Sequence, residues 1–66
     1  QRRLRACLAA SFAQRRRTLA NNLRSVWPDP GELRRRLERA GLDGALRAEQ
    51  VPPEGFRRLA AVWDMP

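Results

Sequence analysis

Apolar residues recur at helical spacing at the beginning of the chain. Leu4, Leu8 and Phe12 follow one another at intervals of four, and Cys7 lies beside them on the same face. This pattern predicts an amphipathic helix over residues 1–12. Because the chain has no second cysteine with which to form a disulfide, we expect Cys7 to be a small core residue.

A second apolar series predicts another helix, separated from the first by a break. The residues of this series are Leu19, Leu23, Val26 and Trp27. The preceding turn, residues 14–17, contains no apolar side chain, so an unbroken helix would place a guanidinium group in the packed seam. We therefore predict a kink near residues 11–13 and a second helix over residues 14–25.

Two prolines mark the boundary to a third helix. Pro28 and Pro30 flank Asp29, and the residue before a proline is disfavoured in the α-helical conformation. Asp29 is predicted to cap the new helix, with Pro30 at its first position and Glu32 placed as in a capping box. Gly41 fits the position just beyond the end of the helix. The predicted inner face consists of Leu33, Leu37 and Ala40, with Leu42 folding back onto it.

The rest of the chain predicts a connector and a final helix. Asp43 is expected to cap one turn that ends at Leu46, and residues 47–53 form a connector that holds about one helical turn. The final helix begins at the two adjacent prolines and ends near Asp64. No segment alternates with the period of a strand, so residues 1–66 are predicted to form one all-α domain, a small bundle of four to five short helices. The predicted apolar face of the final helix consists of Phe56, Leu59, Ala60 and Trp63.

Positive charge is concentrated in the first part of the chain. Residues 1–28 contain seven arginines and no acidic residue, whereas residues 29–66 contain seven arginines and seven aspartates and glutamates. The formal net charge of +7 therefore arises entirely in the first 28 residues. Such one-sided charge favours a polyanionic partner. The use of arginine without any lysine has two explanations, genomic base composition and bidentate binding of phosphate.

The residue types argue against a catalytic site in this chain. There is no histidine, the carboxylates form no paired arrangement, and the four glycines form no phosphate-binding loop. We therefore expect no catalytic residue, no metal site and no cofactor site. No uncharged run approaches the roughly 20 apolar residues of a transmembrane helix, and no signal-peptide pattern is present. We expect a cytoplasmic protein that does not bind membranes.

The predicted second helix carries a polar face without a carboxylate. At helical spacing, one stripe consists of Gln14, Arg17, Asn21 and Arg24, and the next consists of Arg15, Thr18, Asn22 and Ser25. A solvated face usually mixes charge signs, so RNA phosphates and hydroxyl groups are the favoured partners, with a solvated face as the alternative. The predicted RNA-binding residues are Gln14, Arg15, Arg16, Arg17, Asn21, Asn22 and Arg24.

The other arginines allow different interpretations. Arg16 lies at the edge of the apolar face, where it either contacts RNA or pairs with Glu49 as a structural residue. Trp27 and Trp63 are interpreted as core or interface residues. The N-terminal arginines, Arg2, Arg3 and Arg5, are candidates to extend the RNA-binding surface. The arginines interpreted as solvated faces of the later helices are Arg34, Arg35, Arg36, Arg39, Arg57 and Arg58.

Two blocks of the sequence resemble one protein family. Residues 12–23 follow the pattern Phe-x-Gln-Arg-Arg-(Lys/Arg)-Thr-Leu-x-Asn-Asn-Leu, and residues 41–56 contain Gly-Leu-Asp, Arg-Ala-Glu and Glu-x-Phe in order. Both blocks resemble the C-terminal domain of bacterial small-subunit (16S) ribosomal RNA adenine dimethyltransferases, and the resemblance covers most of residues 4–63. Arg17 replaces the usual lysine of that family, and Pro52 replaces a common serine cap.

The resemblance implies a parent enzyme with a Rossmann-like domain that binds S-adenosylmethionine and dimethylates two adjacent adenosines of small-subunit ribosomal RNA. The cofactor loop and catalytic motif of the family have no counterpart in this chain. The role that the resemblance implies here is RNA binding that seats the enzyme on the small ribosomal subunit during ribosome biogenesis. The basic block that includes Arg15, Arg16 and Arg17 matches the part of the family that has this role. The other implied partner is the N-terminal catalytic domain of the enzyme itself.

Two other classes of function are weighed against this one. The first is a protein-interaction module whose basic helices dock on an acidic partner or on the catalytic domain of the parent enzyme. The second is a helix-turn-helix DNA-binding domain. The second is disfavoured because neither predicted junction has a short glycine-containing turn followed by a long recognition helix.

Overall fold

A computed structural model of the chain describes residues 2–64. The described residues contain helices and no strand, which confirms the predicted all-α class. No helix within residues 2–64 has the length and apolarity needed to cross a membrane. Residue 1, the first of the predicted helix over residues 1–12, lies outside the described part. In chain order the elements are α1 (Arg2–Ser11), α2 (Leu19–Leu23), α3 (Pro30–Ala40), a 3₁₀ turn (Ala48–Gln50) and α4 (Pro53–Ala61).

Helix α4 packs between α1 and α3, and α1 also contacts α2. The largest apolar side chains that are fully buried in this arrangement are those of Cys7, Leu19, Leu23 and Leu59. They come from three of the four α-helices, so burial of this small core holds the helices together through the hydrophobic effect. Leu33, Leu37 and Ala40 of α3 join the same cluster, as the periodicity of that helix predicted.

The N-cap and the C-terminal turn of α3 are formed as the sequence predicts, whereas the Glu32 carboxylate pairs with Arg36 at 3.1 Å instead of completing a capping box. The Asp29 carboxylate accepts a hydrogen bond from the Glu32 amide at 3.0 Å and thereby caps the first turn. At the other end, Gly41 has a φ of 68° and donates its amide hydrogen to Glu38. The Leu42 amide donates to the Leu37 carbonyl at 2.9 Å, which closes a Schellman motif and turns Leu42 back toward the core.

The connection between α1 and α2 differs from the prediction. Helix α2 begins at Leu19 with Thr18 as its N-cap, so the predicted helical start at Gln14 is wrong. The reason is the buried side chain of Asn22. Its Nδ2 atom donates to the Ser11 carbonyl at 2.8 Å and to the Gln14 carbonyl at 3.0 Å, and its Oδ1 atom accepts from the Gln14 amide at 3.2 Å. These bonds satisfy backbone groups that a longer helix would otherwise have paired.

The loop before the 3₁₀ turn completes the N-terminus of α2. The Leu19 amide donates to Leu46 at 2.7 Å, and the Ala20 amide donates to Gly44 at 3.0 Å. A side chain at Gly44 would collide, because a Cβ atom there would lie 2.9 Å from Leu37 and 3.0 Å from Ala20. Asp43 caps this loop by accepting from the Ala45 amide at 2.9 Å, which confirms the predicted turn.

Arg36 is buried, so its predicted place on a solvated face is wrong. Its guanidinium group donates to the Val62 carbonyl at 2.6 Å and to the Glu32 carboxylate at 3.1 Å. It also lies 5.2 Å from the ring centroid of Trp27, which in turn meets Trp63 edge-on at 4.9 Å. Helical spacing could not reveal the Val62 carbonyl as a partner, because it lies 26 residues further along the chain.

Helix α4 ends at Ala61, three residues before the predicted end at Asp64. Residues 62–64 instead form a turn, in which the Asp64 carboxylate lies 2.9 Å from Nε of Arg3. Both of these side chains are more than half exposed, so the ion pair contributes little stability. It does show that the beginning of α1 and the end of the described chain lie side by side.

The first prediction concerns Asn22, with its neighbour Asn21 as a matched control. Replacing Asn22 with alanine removes three hydrogen bonds to the backbone, and we expect the free energy of unfolding to fall by about 2–3 kcal/mol. Asn21 is exposed, so Asn21→Ala should change the free energy of unfolding by less than about 0.5 kcal/mol. Urea unfolding followed by circular dichroism measures both. Equal effects of the two substitutions would contradict the role given to the Asn22 amide.

The second prediction concerns Arg36. Arg36→Met removes charge-assisted hydrogen bonds from a buried site, and we expect a loss of about 2 kcal/mol in the free energy of unfolding. Arg34→Met on the exposed side of the same helix is the control and should be nearly neutral. The fluorescence of Trp27 and Trp63 should also change in the first variant only. A neutral Arg36→Met would show that these bonds add nothing to stability.

The third prediction concerns Cys7. Burial raises the pKa of the Cys7 thiol to about 11, because the low-dielectric surroundings disfavour the charged thiolate. Since the thiolate is the reactive form, we expect Cys7 in the folded chain to react roughly a hundredfold more slowly with a disulfide reagent at pH 8 than in the urea-unfolded chain. Comparing the two rates tests this, and similar rates would mean that Cys7 is accessible.

Candidate nucleic-acid interface

The predicted RNA-binding residues gather on the turn between α1 and α2 and on α2 itself. Six of the seven are exposed, and Asn22 is the exception, with 5% of its surface accessible. The exposed residues line two neighbouring grooves that share Gln14. Groove A is lined by Ala13, Gln14, Arg17, Asn21, Asn22, Arg24 and Ser25. Groove B is lined by Ser11, Phe12, Gln14, Arg15, Arg16, Arg47, Ala48 and Glu49.

Groove A brings together the first predicted stripe, Gln14, Arg17, Asn21 and Arg24. Helical spacing does not explain this, because Gln14 and Arg17 precede α2. The bonds of Asn22 to the Gln14 backbone hold the turn against α2 and so place the two arginines along one groove. No carboxylate lines groove A. Its two guanidinium groups and two exposed amide side chains, those of Gln14 and Asn21, therefore present mainly hydrogen-bond donors to an anion.

The second predicted stripe, Arg15, Thr18, Asn22 and Ser25, does not form one surface. Arg15 lies in groove B, whereas Thr18 caps α2 by accepting from the Asn21 amide at 3.3 Å. Ser25 lines groove A, but its hydroxyl group donates to the Asn22 carbonyl at 3.2 Å. The prediction of this stripe was wrong because it assumed a helix that began at Gln14. Asn22 is buried beneath the groove, and its side-chain amide forms hydrogen bonds to the backbone of Ser11 and Gln14, so it positions the site without being exposed to a ligand.

Groove B contains the three arginines Arg15, Arg16 and Arg47 with a single carboxylate, Glu49. Arg16 is exposed, and no ion pair joins it to Glu49 among the described residues, so the predicted structural pairing is wrong. Each arginine comes from an irregular segment whose backbone is held by hydrogen bonds. The Arg47 amide, for example, donates to the Gln50 side chain at 2.9 Å.

Sequence reasoning missed Phe12 and Arg47 as members of the site. Phe12 was expected on the buried face of α1, but it is 46% exposed because it follows the last residue of the helix. Arg47 was assigned to a connector without a role. A signal for Arg47 was present, since it belongs to the second block of the family resemblance, although nothing in the sequence showed that this block lies beside Phe12.

The N-terminal arginines, Arg2, Arg3 and Arg5, line neither groove A nor groove B. Their contribution to RNA binding stays a prediction.

Arg58, predicted on a solvated face, is partly exposed and donates a hydrogen bond to the Ala40 carbonyl at 2.8 Å. This bond satisfies a carbonyl group at the C-terminus of α3. Within residues 2–64 there is no group of three or more histidine, cysteine, aspartate or glutamate side chains that could hold a metal ion.

Several bacterial proteins that share one name are similar to this chain in sequence. A ribosomal RNA small subunit methyltransferase A from Magnetococcus marinus is 55% identical over 51 residues, covering 77% of this chain and 17% of the relative. The protein of that name from Methylobacterium radiotolerans is 43% identical over 61 residues, covering 92% of this chain and 20% of the relative. The one from Phenylobacterium zucineum is 42% identical over 60 residues, covering 91% and 19%.

No protein-family model matches the chain, and no solved structure does. The chain spans only 17–20% of the length of these three curated relatives. Most of each relative therefore lies outside the alignment. The aligned segment is about one fifth as long as each relative, which is consistent with the C-terminal helical domain that the sequence resembles. The chain belongs to the ribosomal RNA small subunit methyltransferase A family.

Proposed function

We propose that this domain binds small-subunit ribosomal RNA and seats a methyltransferase on the small ribosomal subunit. The observation that carries the proposal is groove A, in which Arg17 and Arg24 lie on one surface without a carboxylate. The catalytic domain would lie in the remaining part of the parent protein. It would bind S-adenosylmethionine and dimethylate two adjacent adenosines, and this domain would contribute no cofactor contact.

The chemistry of groove A fits an RNA backbone. Guanidinium groups bind phosphate oxygens through two parallel hydrogen bonds, which fixes orientation as well as adding affinity. The amide side chains of Gln14 and Asn21 both donate and accept hydrogen bonds, so they match the 2′-hydroxyl group of ribose, which does the same. Contacts of this kind position a protein on RNA without reading much sequence. Such positioning is what a domain needs when the reaction takes place elsewhere in the enzyme.

Asn22 supports this function from within the fold. A phosphate-binding surface works best when its groups are already in place, because ordering flexible side chains and loops on binding costs affinity. Two hydrogen bonds of the Asn22 side chain fix the backbone of Gln14, three residues before Arg17, and a third fixes the carbonyl of Ser11. The turn is thus held in one conformation before RNA binds.

The proposed partner, the small ribosomal subunit, is found in the cytoplasm of bacteria. We therefore propose that the protein is cytoplasmic.

A second candidate function is a protein-interaction module. It is favoured by an apolar groove that shares Phe12 with groove B and is lined by Leu4, Leu8, Phe12, Val51, Pro53, Phe56 and Arg57. The catalytic domain of the parent enzyme, or an acidic protein that also contacts the arginines, would fit there. The two functions differ in what the arginines of groove A do. If they bind RNA, their reversal abolishes binding to ribosomal subunits, whereas a protein-docking domain would bind an acidic protein and not ribosomal RNA at physiological salt.

The fourth prediction tests groove A by charge reversal. The double substitution Arg17→Glu and Arg24→Glu should weaken binding of the chain to small ribosomal subunits at least tenfold, because two phosphate contacts are replaced by repulsion. The control, Arg34→Glu with Arg35→Glu, changes the net charge equally on the exposed face of α3 and should have a much smaller effect. Sedimentation with purified subunits measures binding, and circular dichroism confirms that each variant stays helical.

The salt dependence provides an independent check of the same proposal. With about four phosphate contacts on irregular RNA, the slope of log affinity against log salt should be roughly −3, and loss of two contacts should reduce it to roughly −1.5. A slope near zero for the unmodified chain would contradict RNA binding by charge. Equal losses in the groove A variant and the α3 control would show that only the overall charge matters.

A further inference from the structure

Phe12 is exposed in a way that its hydrophobic character does not explain. Within residues 2–64 it is the one large hydrophobic side chain that is exposed, with 46% of its surface accessible. Its position is nevertheless well defined. The Phe12 amide donates to the Leu8 carbonyl at 3.0 Å, and the ring packs against Phe56 with 5.6 Å between the ring centroids. An aromatic ring that is supported on one side and open to solvent on the other can serve as a platform for a planar ligand.

The surroundings of the ring are strongly basic. Arg15 and Arg16, from the turn after α1, and Arg47, at the start of the 3₁₀ turn, line groove B together with Phe12. None of these three arginines forms an ion pair within residues 2–64. Glu49 is the single carboxylate of the groove. The groove therefore combines an aromatic surface, three cationic groups and one carboxylate.

We propose that groove B binds an unpaired RNA base, which stacks on Phe12 while Arg15, Arg16 and Arg47 bind the phosphates on either side of it. This inference rests on the proposed function and adds that the RNA is single-stranded or looped at this point. Stacking on aromatic side chains between phosphate-binding cations is the usual way in which proteins hold single-stranded RNA. The Glu49 carboxylate accepts hydrogen bonds from the N–H groups at the edge of the base.

The groove fits an unpaired base better than a duplex. In an A-form helix the bases are stacked on one another and the major groove is too narrow for side chains, so an exposed ring would find no base face to contact. The groove also fits a base better than an apolar protein surface. Covering Phe12 with such a surface would remove water from three neighbouring guanidinium groups without giving them partners, which is costly. A nucleotide supplies an aromatic face and a phosphate together.

The test compares a short single-stranded RNA with the same oligomer lacking its central base. Fluorescence anisotropy measures binding of the 66-residue chain to both. We expect the unmodified chain to prefer the complete oligomer about tenfold, since one stacked base contributes on that scale. Phe12→Leu keeps an apolar side chain but removes the aromatic face, so it should lose this preference and bind both oligomers equally. Phe12→Trp should retain it.

Arg47→Gln is the second variant, and it does not depend on the packing of Phe12. It removes one phosphate contact and should weaken binding of both oligomers about threefold to fivefold. The exposed Arg34→Gln on α3 is its control and should leave affinity unchanged. Circular dichroism and urea unfolding verify that every variant is folded. If Phe12→Leu were unstable, the Phe12→Trp and Arg47→Gln variants would still decide the question.

Several outcomes would overturn the inference. One is an unchanged preference for the complete oligomer in Phe12→Leu, and another is an Arg47→Gln variant that binds like the unmodified chain. A third is a Phe12→Leu variant that loses contact with a protein domain while its RNA affinity stays the same. If RNA binding requires Arg17 and Arg24 but not Phe12, only this inference fails. If the unmodified chain binds no RNA, the proposed function fails with it.

Discussion

The side-chain amide of Asn22 is the interaction on which the rest of this small domain depends. One buried group pairs with the last carbonyl of α1 and with both polar groups of the Gln14 backbone. A core of this size supplies only a few kcal/mol of net stability, so one unsatisfied buried amide would consume a large share of it. The Asn22 bonds therefore keep the α1–α2 connection in one conformation, and both basic grooves are built on that connection.

Local signals made much of the fold predictable. The Asp29 cap, the Gly41 terminus and the inner face of α3 each follow from residues within one or two turns of one another. The errors arose where a side chain contacts a distant segment. The start of α2 was misplaced because the Asn22 side chain bonds to backbone eight and eleven residues earlier. Arg36 was placed in solvent because its carbonyl partner lies 26 residues away.

The site shows how a correct grouping can follow from an incorrect geometry. Gln14, Arg17, Asn21 and Arg24 were grouped by helical spacing, and they do share groove A, although only Asn21 lies within α2. The turn between α1 and α2 is hydrogen-bonded to Asn22 of α2, and this contact brings Gln14 and Arg17 to the same surface as Asn21 and Arg24. Helical spacing could not predict that Phe12 and Arg47 both line groove B, because the two are 35 positions apart in the chain.

The contact between Arg3 and Asp64 has a consequence for how the domain can be carried by a larger protein. This ion pair adds little stability, but it shows that the two ends of the described chain lie at one corner of the fold. Any polypeptide attached at either end would connect at that corner. The domain could then rotate about one attachment point, because it would not be fixed at two opposite points. If the domain binds RNA as proposed, its orientation on the ribosome would then be set by grooves A and B more than by the attached polypeptide.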